Sequence, residues 1–460
     1  MIDVMDAKEL FLSHFTEHEK ELGEFSGDGL RSLRSSAMER FAELGFPTTS
    51  DEEWRFTPLG ALAEVPFQPA AAHVPELDPG DLRRLLPATG PARKVVMVNG
   101  QLVLGLSDFG VAQHQFNAQI DRNGEDATVC SLARPVEDLD EVLRSHLARY
   151  ARFDDAPFVA LNTAFLRDGI LVYLPRGTVL RQPLHLVYVT CDDGEPVVSH
   201  PRTLVVCECN TQATIVQSYL SAGNDVHFTN AVSEFVLGEN AFVDHCKLQR
   251  ERKQAIHFET LQLQLGRGSN FASQAITLGG GLVRNNINAV LGGEGCECTL
   301  NGLYVAGGQQ IVDNHTRIDH AKPHGASHEL YKGILDGKSR GVFNGKIFVH
   351  QDAQKTDAKQ TNKTLLLSED ATINAMPQLE IFADDVKCTH GATVGQLAGD
   401  AIFYLRTRGL GAEQARSLLT FAFANDILRH IKVEPLRREL EDFFLAAQQL
   451  PAEARLEETL

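Results

Sequence analysis

A short turn word recurs through the middle of the chain and narrows what it can fold into: L-G-E-N at Leu237, L-G-R-G at Leu265, L-G-G-E at Leu291, L-D-G-K at Leu335 and L-S-E-D at Leu367. The leading leucines lie 28, 26, 44 and 32 residues apart, and each follows a strand-like run: His227 to Val236, His257 to Gln264, Asn285 to Val290, Glu329 to Ile334 and Thr361 to Leu366. Loose repetition at this spacing, with strands and no long helix between them, marks a solenoid whose coils bury a shared interior by stacking. The expected fold is mainly β, a right-handed parallel β-helix. A β-sandwich built from hairpins is the competing architecture, and the uneven spacing leaves it open.

Helical patterns flank this region. Residues 3–22 and 29–44 read as amphipathic helices, the second with Leu30, Leu33, Ala37, Phe41 and Leu44 at helical spacing before Gly45 ends it. Pro47 and the cluster Thr48-Thr49-Ser50-Asp51 mark a break and an N-cap. The Pro- and Ala-rich stretch from Pro58 to Pro91 reads as a linker with one short helix near Leu82 to Leu86. From about Lys94 short alternating segments take over, as in Val95-Val96-Met97-Val98 before the Asn99-Gly100 turn. Helix returns after Gly399. Asp400 is placed to cap a helix ending at Arg408-Gly409, and Glu413 opens a second with Ala415, Leu418, Leu419, Ala422, Phe423, Ile427 and Ile431 on one face. Its last turn carries Arg429, His430 and Lys432, and Pro435 begins a third helix. The division expected is a helical region and linker over 1–92, a β-helix over 93–398 and a helical domain over 399–460.

A formal charge of -18 and a pI near 5.4 argue against nucleic acid or an anionic membrane surface as partner, because phosphate binding needs clustered Lys and Arg. No apolar run approaches the roughly 18 residues of a membrane helix, and nothing resembles a secretory signal, so a cytoplasmic location is expected. The 8 cysteines are scattered through the chain, which suits reduced thiols better than a disulfide framework. The absence of any C-x-x-C pair argues against a closed zinc ribbon or a ferredoxin-type cradle.

The segment Ala383 to Gly395, A-D-D-V-K-C-T-H-G-A-T-V-G, sets Cys388 and His390 two residues apart in a strand-like run. Side chains at i and i+2 of a strand point to one side, so thiol and imidazole make half of a metal or cluster site whose other half comes from elsewhere. Lys387 is placed to lower the thiol pKa from its usual value of about 8.5. The His-rich stretch Asp313, His315, Asp319, His320, His324 and His328 lacks H-E-x-x-H spacing; His315 and Asp319 would share a strand face while His320 points oppositely. The C-E-C words at Cys207/Cys209 and Cys296/Cys298 suit interior filling. Gly279 to Gly281 and Gly307-Gly308 do not have phosphate-loop spacing.

The Cys388/His390 word resembles the C-terminal block of the SufB/SufD scaffold family of the SUF iron-sulfur cluster assembly machinery. Further words like the family's follow in order: E-E-W-R-F-T at Glu52 to Thr57, D-N-H-T-R-I-D-H at Asp313 to His320, E-L-Y-K-G at Glu329 to Gly333, S-R-G-V-F-N-G-K at Ser339 to Lys346, D-A-Q-K-T-D-A at Asp352 to Ala358, P-Q-L-E-I at Pro377 to Ile381 and F-Y-L-R-T-R-G at Phe403 to Gly409. The resemblance runs from about residue 28 to 445. It implies a β-helix flanked by helical ends and a non-catalytic scaffold that pairs with a SufB-like paralogue and docks a SufC-type ATPase through its C-terminal helices. It further implies a transient iron-sulfur cluster shared between subunits, with His390 and, beside it, Cys388 as candidate ligands at the interface. Reduced flavin is a further cofactor that the resemblance leaves open, although the sequence carries no flavin fingerprint. The helix text F-A-F-A-N-D-I-L after Phe403-Tyr404-Leu405 is more like the D-type than the B-type paralogue. A reading from a different class, a β-helix enzyme acting on polysaccharide, calls for a secretion signal and clustered acids, or a basic patch with calcium-binding carboxylates, and neither is clear here.

Overall fold

The computed structural model describes residues 4–22, 28–71, 75, 77–108, 117–120, 127–135, 137–191, 194–223 and 226–447. Its body is a parallel β-solenoid of about 7 turns. From Gln212 onward successive strands alternate between two facing sheets, so each coil contributes one strand to each. One sheet stacks Phe228, Ile256, Leu282, Ile311, Arg340 and Thr372 in register. The other stacks Gln212, Phe242, Asn270, Glu297, Ala326, Asp357 and Lys387. Every ladder between these coils is parallel, which excludes the sandwich built from hairpins. Between the sheets, Phe235, Leu263, Phe271 and Ile287 belong to the largest buried cluster.

The corners explain the turn word. Six successive chain reversals from the first sheet to the second pass through one residue in the left-handed region, Asn210 (φ 60), Asn240 (φ 54), Gly268 (φ 62), Gly295 (φ 69), His324 (φ 60) and Lys355 (φ 62), whereas the last, between Ile381 and Lys387, has none. Asn and Gly accept this conformation at the least steric cost. The corner amides extend the ladder beyond the strands: Asn240 N–H donates to the Arg267 carbonyl at 2.9 Å and Gly268 N–H to Glu294 at 2.9 Å. The 44-residue gap between Leu291 and Leu335 is a change of corner. Leu237, Leu265 and Leu291 end strands of one sheet, whereas Leu335 ends a strand of the other and stacks on Ala306 and Leu366. At the first corner the repeat continues through His320 and Val349, where the word is no longer spelled.

The N-terminal helices Val4–Leu22 and Asp28–Leu44 pack on the outer face of the first sheet. There Phe11, Phe41, Phe46, Trp54 and Phe158 meet Phe228 and Phe258. Gly45 (φ 65) ends the second helix, as its position suggests. The Pro58–Pro91 stretch lies against the solenoid: Gln68–Pro69 pairs with Val197–Val198, and Asp78 caps the helix Pro79–Leu85, whose Leu82 is buried. Asn99 and Gly100 form the tight turn between Arg93–Val98 and Gln101–Leu102. At this end of the solenoid, antiparallel strands close both sheets: Gln101–Leu102 on one, Asn117–Ile120 and Ala127–Ser131 on the other.

At the other end stand helices Gly399–Thr407, Ala412–Leu428 and Glu434–Ala447. The last two lie along the outer face of the second sheet, where Phe421, Ala424, Ile427, Leu436, Leu440 and Phe444 join Val216, Leu248, Ile276, Leu303 and Ile334. Lys332 Nζ fastens them, donating to the Phe423 carbonyl at 2.9 Å and to Asp426 at 2.5 Å. Three local expectations differ. Ala398, with no side-chain cap bond, precedes the first of these helices in place of Asp400. The second buries Thr420, Phe421, Ala424 and Leu428 more deeply than Leu418, Leu419 and Ala422. It also ends at Leu428, so Arg429, His430 and Lys432 lie beyond its last turn, and Lys432 pairs with Asp244 at 2.5 Å. Among the described residues no helix is long and apolar enough to cross a membrane.

Candidate functional site

The final coil consists of Thr372–Ile381 in one sheet and Lys387–Gly395 in the other, each the last strand of its sheet. Among the described residues nothing pairs with their outer edges. A flat, unpaired strand edge is a template for another strand, and proteins ordinarily cover, charge or distort it. Here the edge is flanked by apolar surface: Phe382 (59% exposed), Val394, and Phe403 (68% exposed) and Tyr404 of the first C-terminal helix. That helix, Gly399–Thr407, buries none of its residues.

Cys388 and His390 both lie on the last strand, on the side that faces the lumen. Cys388 stacks on Ala358 and His390 on Gln360, both buried interior positions. Cys388 is half-buried against Ala358, Ala383 and Val349, whereas His390 is exposed. The shared side expected from their spacing is therefore present. The expected effect of Lys387 is not: the adjacent residue projects to the opposite side of the strand, and burial pushes the Cys388 thiol upward, with a bond from the Ala358 backbone offsetting this only in part. The thiol as it stands is protonated and needs a metal or a base to become a ligand.

The remaining candidates are dispersed. Asp313, His315, Arg317 and Asp319 face outward on the first sheet; His320 points into the lumen and bonds Ser327 at 2.8 Å; His324 is a corner residue; His328 lies on the outer face of the other sheet. His315 and Asp313 are held by the N-terminal segment, through Glu53 at 2.9 Å and Thr57 at 2.5 Å. Thus E-E-W-R-F-T and D-N-H-T-R-I-D-H, distant in sequence, are two halves of one contact. A cleft of about 730 Å³ beside it is lined by Trp54, Arg284, His315, Arg317 and Lys346. Its cations are already matched, Arg284 with Asp313, Arg317 with Asp319 and Lys346 with Glu380. Cys207, Cys296 and Cys298 are buried, and burial raises all three thiols, Cys207 to about 12, which suits packing, whereas Cys209 lies past the end of its strand and is only half-buried. Gly280 (φ 82) and Gly308 (φ 61) are corner glycines.

Among the described residues no group of three or more His, Cys, Asp or Glu side chains is arranged to hold a metal ion. Cys388 and His390 thus offer two soft or borderline donors, short of the four that an iron-sulfur or zinc centre takes.

Residues 189–423 match the family model described as "SUF system FeS cluster assembly, SufBD core domain", and residues 5–81 and 92–186 match "SufBD protein N-terminal region". The chain belongs to the SufBD family. Similar SufBD proteins include an "iron-sulfur cluster assembly SufBD family protein" of Synechocystis, 35% identical over 93% of this chain and 95% of that one. The "iron-sulfur cluster assembly protein SufD" of Escherichia coli is 31% identical over 91% of this chain and 92% of its own length. The SufD of Bacillus subtilis is 25% identical over 94% and 95%. This SufBD chain therefore works in iron-sulfur cluster assembly, and two of these three relatives carry the name SufD.

Proposed function

We propose that this chain is a D-type scaffold subunit whose open final coil pairs with a SufB-like solenoid, so that a nascent iron-sulfur cluster, the cargo, is held between His390, Cys388 and ligands of the partner. The observation that carries this reading is the coincidence of two features on one coil: unpaired strand edges, and a thiol and imidazole facing the end of the lumen. A half-complete donor set at an edge built for strand addition is useful only when a second chain completes both.

A SufC-type ATPase would dock on the C-terminal helices, where Phe403 and Tyr404 stand exposed. ATP binding would move the scaffold only if the ATPase binds two arrangements of it with different affinity. The role is that of a scaffold in the cytoplasm, with no reaction assigned to this chain alone.

The test is anaerobic reconstitution of the co-expressed complex. His390→Ala should fold and assemble with its partners yet form several-fold less cluster, and Cys388→Ser should show whether the thiol shares the task. Equal cluster yield from matched amounts of the His390→Ala and wild-type complexes would refute the assignment.

A further inference from the structure

The lumen changes character toward the open end. In the middle coils many of its polar groups bond one another: His245 bonds Ser273 at 2.8 Å and Gln217 at 2.9 Å, and Lys247 is held by Glu259, His257 and Asn285. Further along, two interior columns run to the final coil, one through Leu300, Glu329, Gln360 and His390, the other through Gly302, Tyr331, Asn362 and Ala392. Here the network is left incomplete. Glu329 Oε2 accepts from Gln360 Nε2 at 2.7 Å, but Glu329 Oε1 and Thr316 Oγ1 have no partner besides each other, and Gln360 Oε1, Asn362 Nδ2 and Tyr331 OH make no close hydrogen bond with the protein. All five residues are buried, none more than 3% exposed.

Buried polar atoms are almost always satisfied, and where the protein does not do so ordered water does, provided that several donors and acceptors surround it. This set supplies both kinds, acceptors from Glu329 and Gln360 and donors from Asn362, Tyr331 and Thr316.

We propose that the lumen of the last coils is a hydrated chamber in which Glu329 takes up and releases protons through the final coil. Glu329 lies two coils below His390, about 10 Å at the usual strand spacing. Burial raises its carboxyl to about 7, with Gln360 and Thr316 offsetting part of the effect. The groups facing it carry no charge at neutral pH. Cys298 and Tyr331 are pushed up by burial, His320 is lowered to about 4, and Phe343 and Gly345 opposite do not titrate. Glu259, which acts on Tyr331 from further off, is matched by Lys247. In each exchange the carboxyl O–H breaks, its proton passes to water and on toward the open end, and the carboxylate left behind is reprotonated from solvent by the same route. Use of that proton in cluster chemistry rests on the function proposed above; the chamber itself does not.

Infrared titration of the full-length chain tests the chamber directly. One protonated-carboxyl band should disappear with a midpoint near neutral pH, shift promptly in D2O under native conditions, and be missing from Glu329→Gln. Should Glu329→Gln fail to fold, Tyr331→Phe keeps the test open, because loss of its hydroxyl should slow the D2O shift. A neutral-range band absent from the wild type, or one that ignores D2O until the protein unfolds, overturns the proposal. In the reconstituted complex Glu329→Gln should remove a step near neutral pH from the rate of cluster formation, and an unchanged profile would refute the use of its proton in assembly. Wild-type cluster yield from His390→Ala would instead sink the assignment of the final coil while leaving the infrared result to decide the chamber.

Discussion

Asp313→Asn should detach the N-terminal region from the solenoid, and the protein contains its own reporter for that event. Asp313 is fully buried and accepts from Thr57 Oγ1 at 2.5 Å and Arg284 Nη1 at 2.6 Å, with His315 Nε2 at 3.0 Å. The Arg284 guanidinium in turn donates to the Glu53 carbonyl at 2.7 Å and lies 3.8 Å above the ring of Trp54, the one tryptophan in the chain. Burial works against the Asp313 carboxylate, but Arg284 and His315 prevail and lower its pKa from 3.8 to about 2, a stabilisation of about 2 kcal/mol. The asparagine variant loses this and leaves the buried Arg284 without its counter-charge, an effect that in buried pairs amounts to about 3–5 kcal/mol. The two figures overlap, so a net loss of about 3 kcal/mol is expected, roughly a hundredfold in the local opening equilibrium. Urea titration followed at Trp54 should show the red shift of exposure at markedly lower denaturant than wild type, while the far-ultraviolet signal of the solenoid holds. The same contact should weaken in acid, because a depressed carboxyl stabilises above its unfolded pKa of 3.8 and that contribution fades as pH falls toward 2. Coincident Trp54 transitions in variant and wild type would refute the reasoning.

Three further outcomes are expected. Burial lowers the pKa of His315, but Asp313 and Glu53 outweigh it, so the folded value lies above 6.5; its contribution is complete below 6.5 and is lost as pH rises through the folded value, so the Trp54 midpoint should fall on the alkaline side in wild type and flatten in His315→Gln. His324→Gly should stabilise the solenoid by up to about 1 kcal/mol in thermal unfolding, because an exposed histidine holds φ 60 at a corner where the four preceding coils use Asn or Gly. Gly268→Ala should destabilise it, since its φ is 62 and the added Cβ would meet Asn240 Oδ1 at 2.6 Å.

The stacking of coils was legible because it depends on short-range chemistry. Leucine before a corner and Asn or Gly within it are local requirements, and the sequence spells them wherever the corner is built in the ordinary way. It became illegible where His324 and Lys355 take the left-handed position, since tertiary stacking there overrides a local preference. The relation between Cys388 and His390 was also readable, because strand alternation alone fixes it. The upward shift of the Cys388 thiol was not: it comes from Ala353, Ala358 and Ala383, two of them on other coils, which no local pattern announces. Nor was Glu329, one acid among many in the text, whose meaning comes from neighbours at 316 and 360.

The two ends of the solenoid differ in a way that bears on all of this. In a stacked-coil protein each coil is held by its neighbours, so a terminal coil has half the support and ordinarily receives a cap. The N-terminal end has one, in antiparallel strands that close both sheets. The C-terminal end has helices with ample apolar surface to serve as one, yet the two longer ones lie along the flank, over Val216, Leu248 and Ile334. Among the described residues the coil carrying Cys388 and His390 is thereby left with bare edges, exposed aromatic neighbours and an incomplete polar interior beneath it. Stability alone would favour folding those helices over the end. On the function proposed above, a chain that leaves its weakest coil open, with a thiol and an imidazole on it, is arranged for a partner to finish the stack.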